Sequence, residues 1–146
     1  MKNLRNKILL IGVLVFLGAA AFGIYLYNKP HKSVRNITPV AFIDSSDLIS
    51  EFESDEESAN GKYLGKVVQV SGTVISSSID KEGNLNVMLE GPDLAAVSCQ
   101  FEKGFRPIQG QFSEGKRTSI KGFCTGILID VVLVQCLPAE EKKQAL

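Results

Sequence analysis

From Ile8 to Tyr27 the chain runs for twenty residues without a charged side chain, ILLIGVLVFLGAAAFGIYLY. At about 1.5 Å of rise per residue, a helix of that length spans the roughly 30 Å hydrocarbon core of a bilayer. Its faces are apolar all round, whereas a helix packed on a small soluble core keeps one polar side. Tyr25 and Tyr27 fall at its C-terminal end, where amphipathic rings favour the headgroup layer, and Lys29-Pro30 is expected to end the helix. A cleaved signal peptide competes with this reading, because basic residues precede the run and Ala19-Ala20-Ala21 has the character of a cleavage site. The run continues six residues beyond Ala21, too far for a typical signal core, and no cysteine directly follows it to carry a lipid. An uncleaved signal-anchor through residues 8–27, with the lipid bilayer as its partner, is the expectation.

Formal charge is balanced at 16 basic and 16 acidic residues, but every acid lies beyond residue 35. Residues 36–146 carry 10 Lys or Arg against 16 Asp or Glu, a net of −6. Such a domain lacks the general attraction to phosphate that basic nucleic-acid binders use. Each flank of the apolar run has three Lys or Arg, and the N-terminal flank is only seven residues long. A short basic tail stays on the cytoplasmic side while the acidic domain crosses, so the domain is expected outside the cytoplasm, on the periplasmic side.

The pattern then divides the chain into a basic tail at 1–7, the anchor, a juxtamembrane linker at 28–43, a domain at 44–138 and a polar tail at 139–146. Residues 44–60 read as one helix, capped by Asp44, Ser45 or Ser46, with Leu48, Ile49, Phe52 and Ala59 inward and a crowd of acids outward. From Tyr63 the period changes to two. Val68, Val70, Gly72 and Val74 form a first strand; Leu85, Val87 and Leu89 a second; Val97, Cys99 and Phe101 a third. After an irregular connection at 102–116, Thr118, Ile120, Gly122 and Cys124 form a fourth, and Val131 to Cys136, apolar on both faces, a fifth and central one. Gly72 and Gly122 fall where a strand bends to turn a barrel corner. The expected fold class is all-β: a small five-stranded Greek-key barrel of OB type preceded by one α-helix, behind the N-terminal transmembrane helix.

The run Lys62-Tyr63-Leu64-Gly65-Lys66-Val67-Val68-Gln69-Val70-Ser71-Gly72-Thr73-Val74 resembles the bacterial tRNA_anti-like family. So do Ile120-Lys121-Gly122-Phe123-Cys124-Thr125-Gly126, Asp130-Val131-Val132-Leu133 and Cys136. The resemblance covers roughly residues 45–137 and implies an OB-fold related to anticodon-binding domains, often behind a signal or membrane anchor, with no activity to carry over. The architecture is also similar to that of the cytochrome c maturation haem chaperones, which attach haem through a histidine beyond the barrel. Here no histidine follows His31, so that chemistry is not transferred.

The usual ligand face of an OB-fold is the outer side of its second and third strands with the flanking loops. The candidate ligand-binding residues are therefore Asn84, Asn86, Met88, Ser98 and Gln100, with Ala96 on the same outward face and Lys103, Phe105 and Arg106 in the long loop. The strand face has neither the aromatic platforms nor the cations that single-stranded nucleic acid requires. Phe105 and Phe112 are expected as plugs between loop and core. An unidentified protein, peptide or glycan partner suits a polar, neutral face; nucleic acid is the rival, requiring a cytoplasmic domain. A structural accessory subunit of a membrane complex is a further alternative.

No enzyme is expected, since the domain has no histidine as general base and no glycine-rich phosphate loop. Ser76-Ser77-Ser78 reads as a turn. The acids at 51–57 read as a solvated helix face, lacking the spacing of a calcium loop. No cofactor and no metal site is expected. Cys99, Cys124 and Cys136 all point inward; an oxidising compartment makes one disulfide possible, Cys136 with Cys99 or Cys124.

Overall fold

A computed structural model describes residues 2–27 and 33–140, and the chain divides into two units at residues 32 and 33. The expected helix stop at Lys29-Pro30, His31 and residues 141–146 lie outside the described residues.

The first unit is one helix, α1 (Lys2–Tyr27). Its large apolar side chains are exposed all along its length, from Leu4 to Tyr27. By length and composition it suffices to cross a membrane.

In the second unit, alternating Val, Gly and Ile side chains produce five strands that close on themselves. After β1 (Ala41–Asp44) come α2 (Ser45–Ser54), α3 (Glu56–Tyr63), β2 (Val67–Ile79), β3 (Leu85–Glu90), β4 (Ala96–Phe101), β5 (Arg117–Ile127) and β6 (Val131–Ala139). The order round the barrel is β2-β3-β4-β6-β5, and β5 returns to β2. Only β4–β6 is parallel within that ring; the other pairs are antiparallel. This is the five-stranded closed barrel of OB type. As expected, the fifth of these strands, β6, is interior to the sheet, between β4 and β5. Inside lie Val68, Val70, Val87, Leu89, Val97, Cys99, Ile120, Cys124, Leu133 and Cys136, each completely shielded.

An all-β description is too narrow, because helices occupy almost as much of the described chain as strands. The acidic segment is also two helices rather than one. Asp55 leaves helical geometry, and its carboxylate accepts from the Ser58 amide, ending α2 and capping α3. This break lets α2 bury Leu48, Ile49 and Phe52 against the barrel while α3 adds Ala59 and Tyr63. Phe52 and Tyr63 meet with ring centroids 6.1 Å apart. The Tyr63 hydroxyl and the Lys62 ammonium both donate to Glu51 Oε2 at 2.9 Å, tying α3 back to α2.

The stretch read as linker is partly structured. Ser33 caps a 3₁₀ turn (Val34–Asn36), and Val34 is fully buried in a small cluster with Val67 and Leu137 on the barrel's outer wall. Lys121 donates to the carbonyls of Arg35 and Ile37, satisfying the end of that turn. β1 then pairs in parallel with β2, Ala41 opposite Val68 through Asp44 opposite Ser71. Ser76-Ser77-Ser78, read as a turn, belongs to β2: after a bulge at Ile75 these residues pair with Met88, Val87 and Asn86. The 102–116 connection contains turns but no helical one.

Gly72 and Gly122 serve close approach more than bending. A Cβ on Gly72 would collide with the Ser45 hydroxyl and lie 3.2 Å from Leu89 Cβ. A Cβ on Gly122 would lie 2.5 Å from Cys136 Sγ and 3.1 Å from the Val134 carbonyl. Gly122→Ala should therefore destabilise the domain by about 1–3 kcal/mol, as overpacking does. Pairing it with Cys136→Ala should return part of that loss, measured by urea unfolding followed by circular dichroism.

Burial, then the hydrogen bond to Glu51, pushes the Tyr63 hydroxyl up to about 12, while Lys62 and then Tyr63 hold the Glu51 carboxyl below its ordinary value. The unfolded tyrosine ionises near 10, so this contribution is intact below about pH 10 and disappears between about 10 and 12. In Tyr63→Phe, thermal unfolding should lose that alkaline component of its pH dependence.

Candidate ligand-binding face

Backbone pairing sets the outer face of β3 and β4 as rows. Ser76 stands beside Met88 and Met88 beside Ser98; Ser78 stands beside Asn86 and Asn86 beside Gln100. Alternation sends their neighbours Val87 and Cys99 into the core, so these side chains face outward by necessity. Ser98 donates to Asn86 Oδ1 at 3.2 Å, orienting that amide.

The second row opens into a hollow of about 300 Å³ lined by Ser78, Asp80, Asn84, Leu85, Asn86, Gln100 and Phe101. Its rim is the β2–β3 turn. There Asp80 accepts from the Glu82 and Asn84 amides at 2.9 Å and from Asn84 Nδ2 at 3.1 Å, so one carboxylate folds the turn and aims the Asn84 side chain. Arg106 reaches the same turn, donating to the Gly83 carbonyl at 3.4 Å.

The structure thus gathers Asn84, Asn86 and Gln100 around one hollow. Met88 and Ser98 form the adjacent row, and Lys103 is exposed but lines none of the hollow. Phe105 is taken up elsewhere: Phe101 lies 4.9 Å from Phe105 and 5.0 Å from Phe112, so the loop phenylalanines pin the 102–116 connection to the core. Ala96, expected on the outward face, is buried, and its amide donates to Asp130 Oδ1 at 3.1 Å. Ser78 and Asp80 were missed because three serines before Asp-Lys-Glu-Gly read as turn chemistry. The signal for Ser78 was the outward period of two, resuming after a one-residue bulge.

A larger hollow, about 550 Å³, lies between α2 and α3, along Asp47, Ser50, Glu51, Ser54, Asp55 and Ser58. Several of its polar groups are already engaged: Ser50 donates to the Ser46 carbonyl and Ser54 to the Ser50 carbonyl within α2, and Glu51 is held by Lys62 of α3. Among the described residues no group of three His, Cys, Asp or Glu side chains is placed to hold a metal ion. The three cysteines are buried as free side chains; burial pushes the Cys124 thiol up, and burial then the Cys99 contact push up Cys136.

Hydrogen bonds from Asn84 hold the Asp80 carboxyl below the ordinary carboxylate range. The turn is therefore formed at neutral pH and should loosen as pH falls through that lowered value. Acid titration by NMR should show the Glu82 and Asn84 amides moving together with an Asp80 midpoint below about 3.9, the ordinary aspartate value.

A Klebsiella pneumoniae lipoprotein proposed to bind nucleic acid, known from its crystal structure, is similar to this chain at 17% identity and a TM-score of 0.56. The likeness covers 67% of this chain and 91% of that one, and it shows the fold. No curated protein gives a significant match. The tRNA_anti-like profile matches residues 1–137, from the N-terminal helix into β6. The chain belongs to the tRNA_anti-like family.

Proposed function

We propose that this protein is a membrane-anchored, extracytoplasmic OB-fold binding module, not an enzyme, whose ligand lies across the outer face of β3 and β4. The supporting observation is the hollow beside the β2–β3 turn, where Ser78, Asn84, Asn86 and Gln100 present neutral hydrogen-bonding groups and Asp80 the one carboxylate. Amides and hydroxyls that both donate and accept suit a polar ligand of low charge, a glycan or a peptide backbone. The barrel interior is filled by side chains, which leaves the outer face as the place for a ligand. The exposed apolar α1 and the short basic tail before its apolar run support an anchor with a cytoplasmic N-terminus.

Single-stranded nucleic acid is the second reading, favoured by the family and by the description of the Klebsiella protein. Against it, the loop phenylalanines are packed into the Phe101–Phe105–Phe112 cluster, and no Lys or Arg is among the residues that line the hollow.

Titrating the detergent-solubilised chain with a fluorescent oligothymidine at 50 and 200 mM salt separates the two. The expected outcome is no saturable binding at either salt; tight binding that weakens steeply with salt would replace the proposal with the second reading. A parallel NMR screen with neutral oligosaccharides and peptides should shift the side-chain amides of Asn86 and Gln100. Asn86→Ala should then weaken the hit by about 3–10-fold, the effect of one lost hydrogen bond.

A further inference from the structure

We propose that Cys99 and Cys136 form an intramolecular disulfide when the chain folds in an oxidising compartment, and that Cys124 remains a thiol. The sequence leaves Cys136 with two candidate partners; two features of the barrel turn and seat its thiol inward, and a third joins it to one of them.

The first is the bulge in β6. Cys99 sits opposite Leu133 on the parallel neighbour, yet Phe101, two residues on, sits opposite Cys136, three residues on. The extra residue is absorbed around Gln135, whose φ of +53° is left-handed. Without it, alternation from inward Leu133 would send Cys136 to the outer wall. With it, Cys136 turns inward on the strand adjacent to Cys99, and both are completely shielded. The second feature is Gly122, whose missing side chain leaves the space that Cys136 Sγ occupies. The third is that the Cys136 thiol interacts with the Cys99 side chain across β4 and β6. Cys124 faces Leu133 from β5 as Cys99 does from β4, but its thiol is turned elsewhere: the Gly126 backbone approaches it, and its amide donates to the Lys66 carbonyl just after α3.

Closure requires an external disulfide, supplied by a thiol–disulfide oxidoreductase of the compartment or by oxidised glutathione. One cysteine thiolate attacks it, forming a mixed disulfide and releasing one thiol. The second cysteine thiolate then attacks the mixed disulfide and expels the other thiol. Two protein thiols lose two electrons and two protons, and the external disulfide becomes two thiols. Because both sulfurs are shielded in the finished barrel, exchange has to precede closure of β6 against β4.

The test uses the full chain, reduced and unfolded, then refolded in a glutathione redox buffer, quenched and unfolded together in N-ethylmaleimide with guanidinium at mildly acidic pH, and mapped by peptide mass spectrometry. The expected product links Cys99 to Cys136 and carries one adduct, on Cys124. A Cys124→Ser variant should keep the bond and Cys136→Ser should lose it. A bond to Cys124, or three adducts, would overturn the proposal. The occurrence of the bond in the cell rests on the extracytoplasmic reading, so the chain is also extracted from membranes directly into guanidinium containing N-ethylmaleimide. One adduct there supports bond and compartment together. Three adducts there, with the bond formed on refolding, support the pairing and overturn the compartment.

Discussion

The pairing of β2 with β5 is the constraint on which the rest of the domain depends. Seven consecutive residue pairs, from Val67 opposite Phe123 to Thr73 opposite Arg117, close the five strands into a ring. A sheet left open there would expose a row of unpaired amides and carbonyls and split the core. Closing so few strands demands strong local curvature and brings neighbouring backbones close, so Gly72 and Gly122 stand where a Cβ would strike Ser45 or Cys136. The interior formed in this way is too narrow to hold a ligand and is filled with aliphatic side chains and thiols.

Closure also decides what the flanking segments do. A small barrel has an open end through which water reaches the core, and α2 covers it with Leu48, Ile49 and Phe52. Ser45 at the start of α2 buries its hydroxyl and donates to the Glu90 carbonyl, tying the plug to the end of β3. On the outer wall, Val34 and the 3₁₀ turn cover Val67 and Leu137. The compact unit therefore takes in the residues from Ser33 on, ahead of the acidic helices, and the face of β3 and β4 retains its rows of small polar groups.

Much of the barrel is legible in the residues because period-two alternation states which side chains go inward before any strand has a neighbour. The positions of Val68, Val87, Cys99, Ile120 and Leu133 follow from it directly. The elements that escaped are those with too few residues to show a period, such as Ala41–Asp44, or those interrupted by an irregularity, such as Ser76–Ser78 beyond the bulge. The helix break at Asp55 was hidden among acids that read as one solvated face, although an aspartate followed by two glutamates has the character of a helix cap and its acidic first turn. Of the candidate face, Asn84, Asn86 and Gln100 were readable from strand parity. Asp80 was not, because its role is fixed by hydrogen bonds within a folded turn.

The sequence by itself determined the division into an apolar helix and a β domain, the inward and outward faces of the strands, and the polar, cation-poor character of the outer wall. These are properties of local composition and period, which need no knowledge of neighbours. Tertiary structure alone decided which strands touch, that the stretch before Asp44 is part of the fold, and that one bulge turns Cys136 inward rather than outward. Those outcomes depend on register between segments distant in the chain, and a shift of one residue in that register reverses which face a side chain occupies.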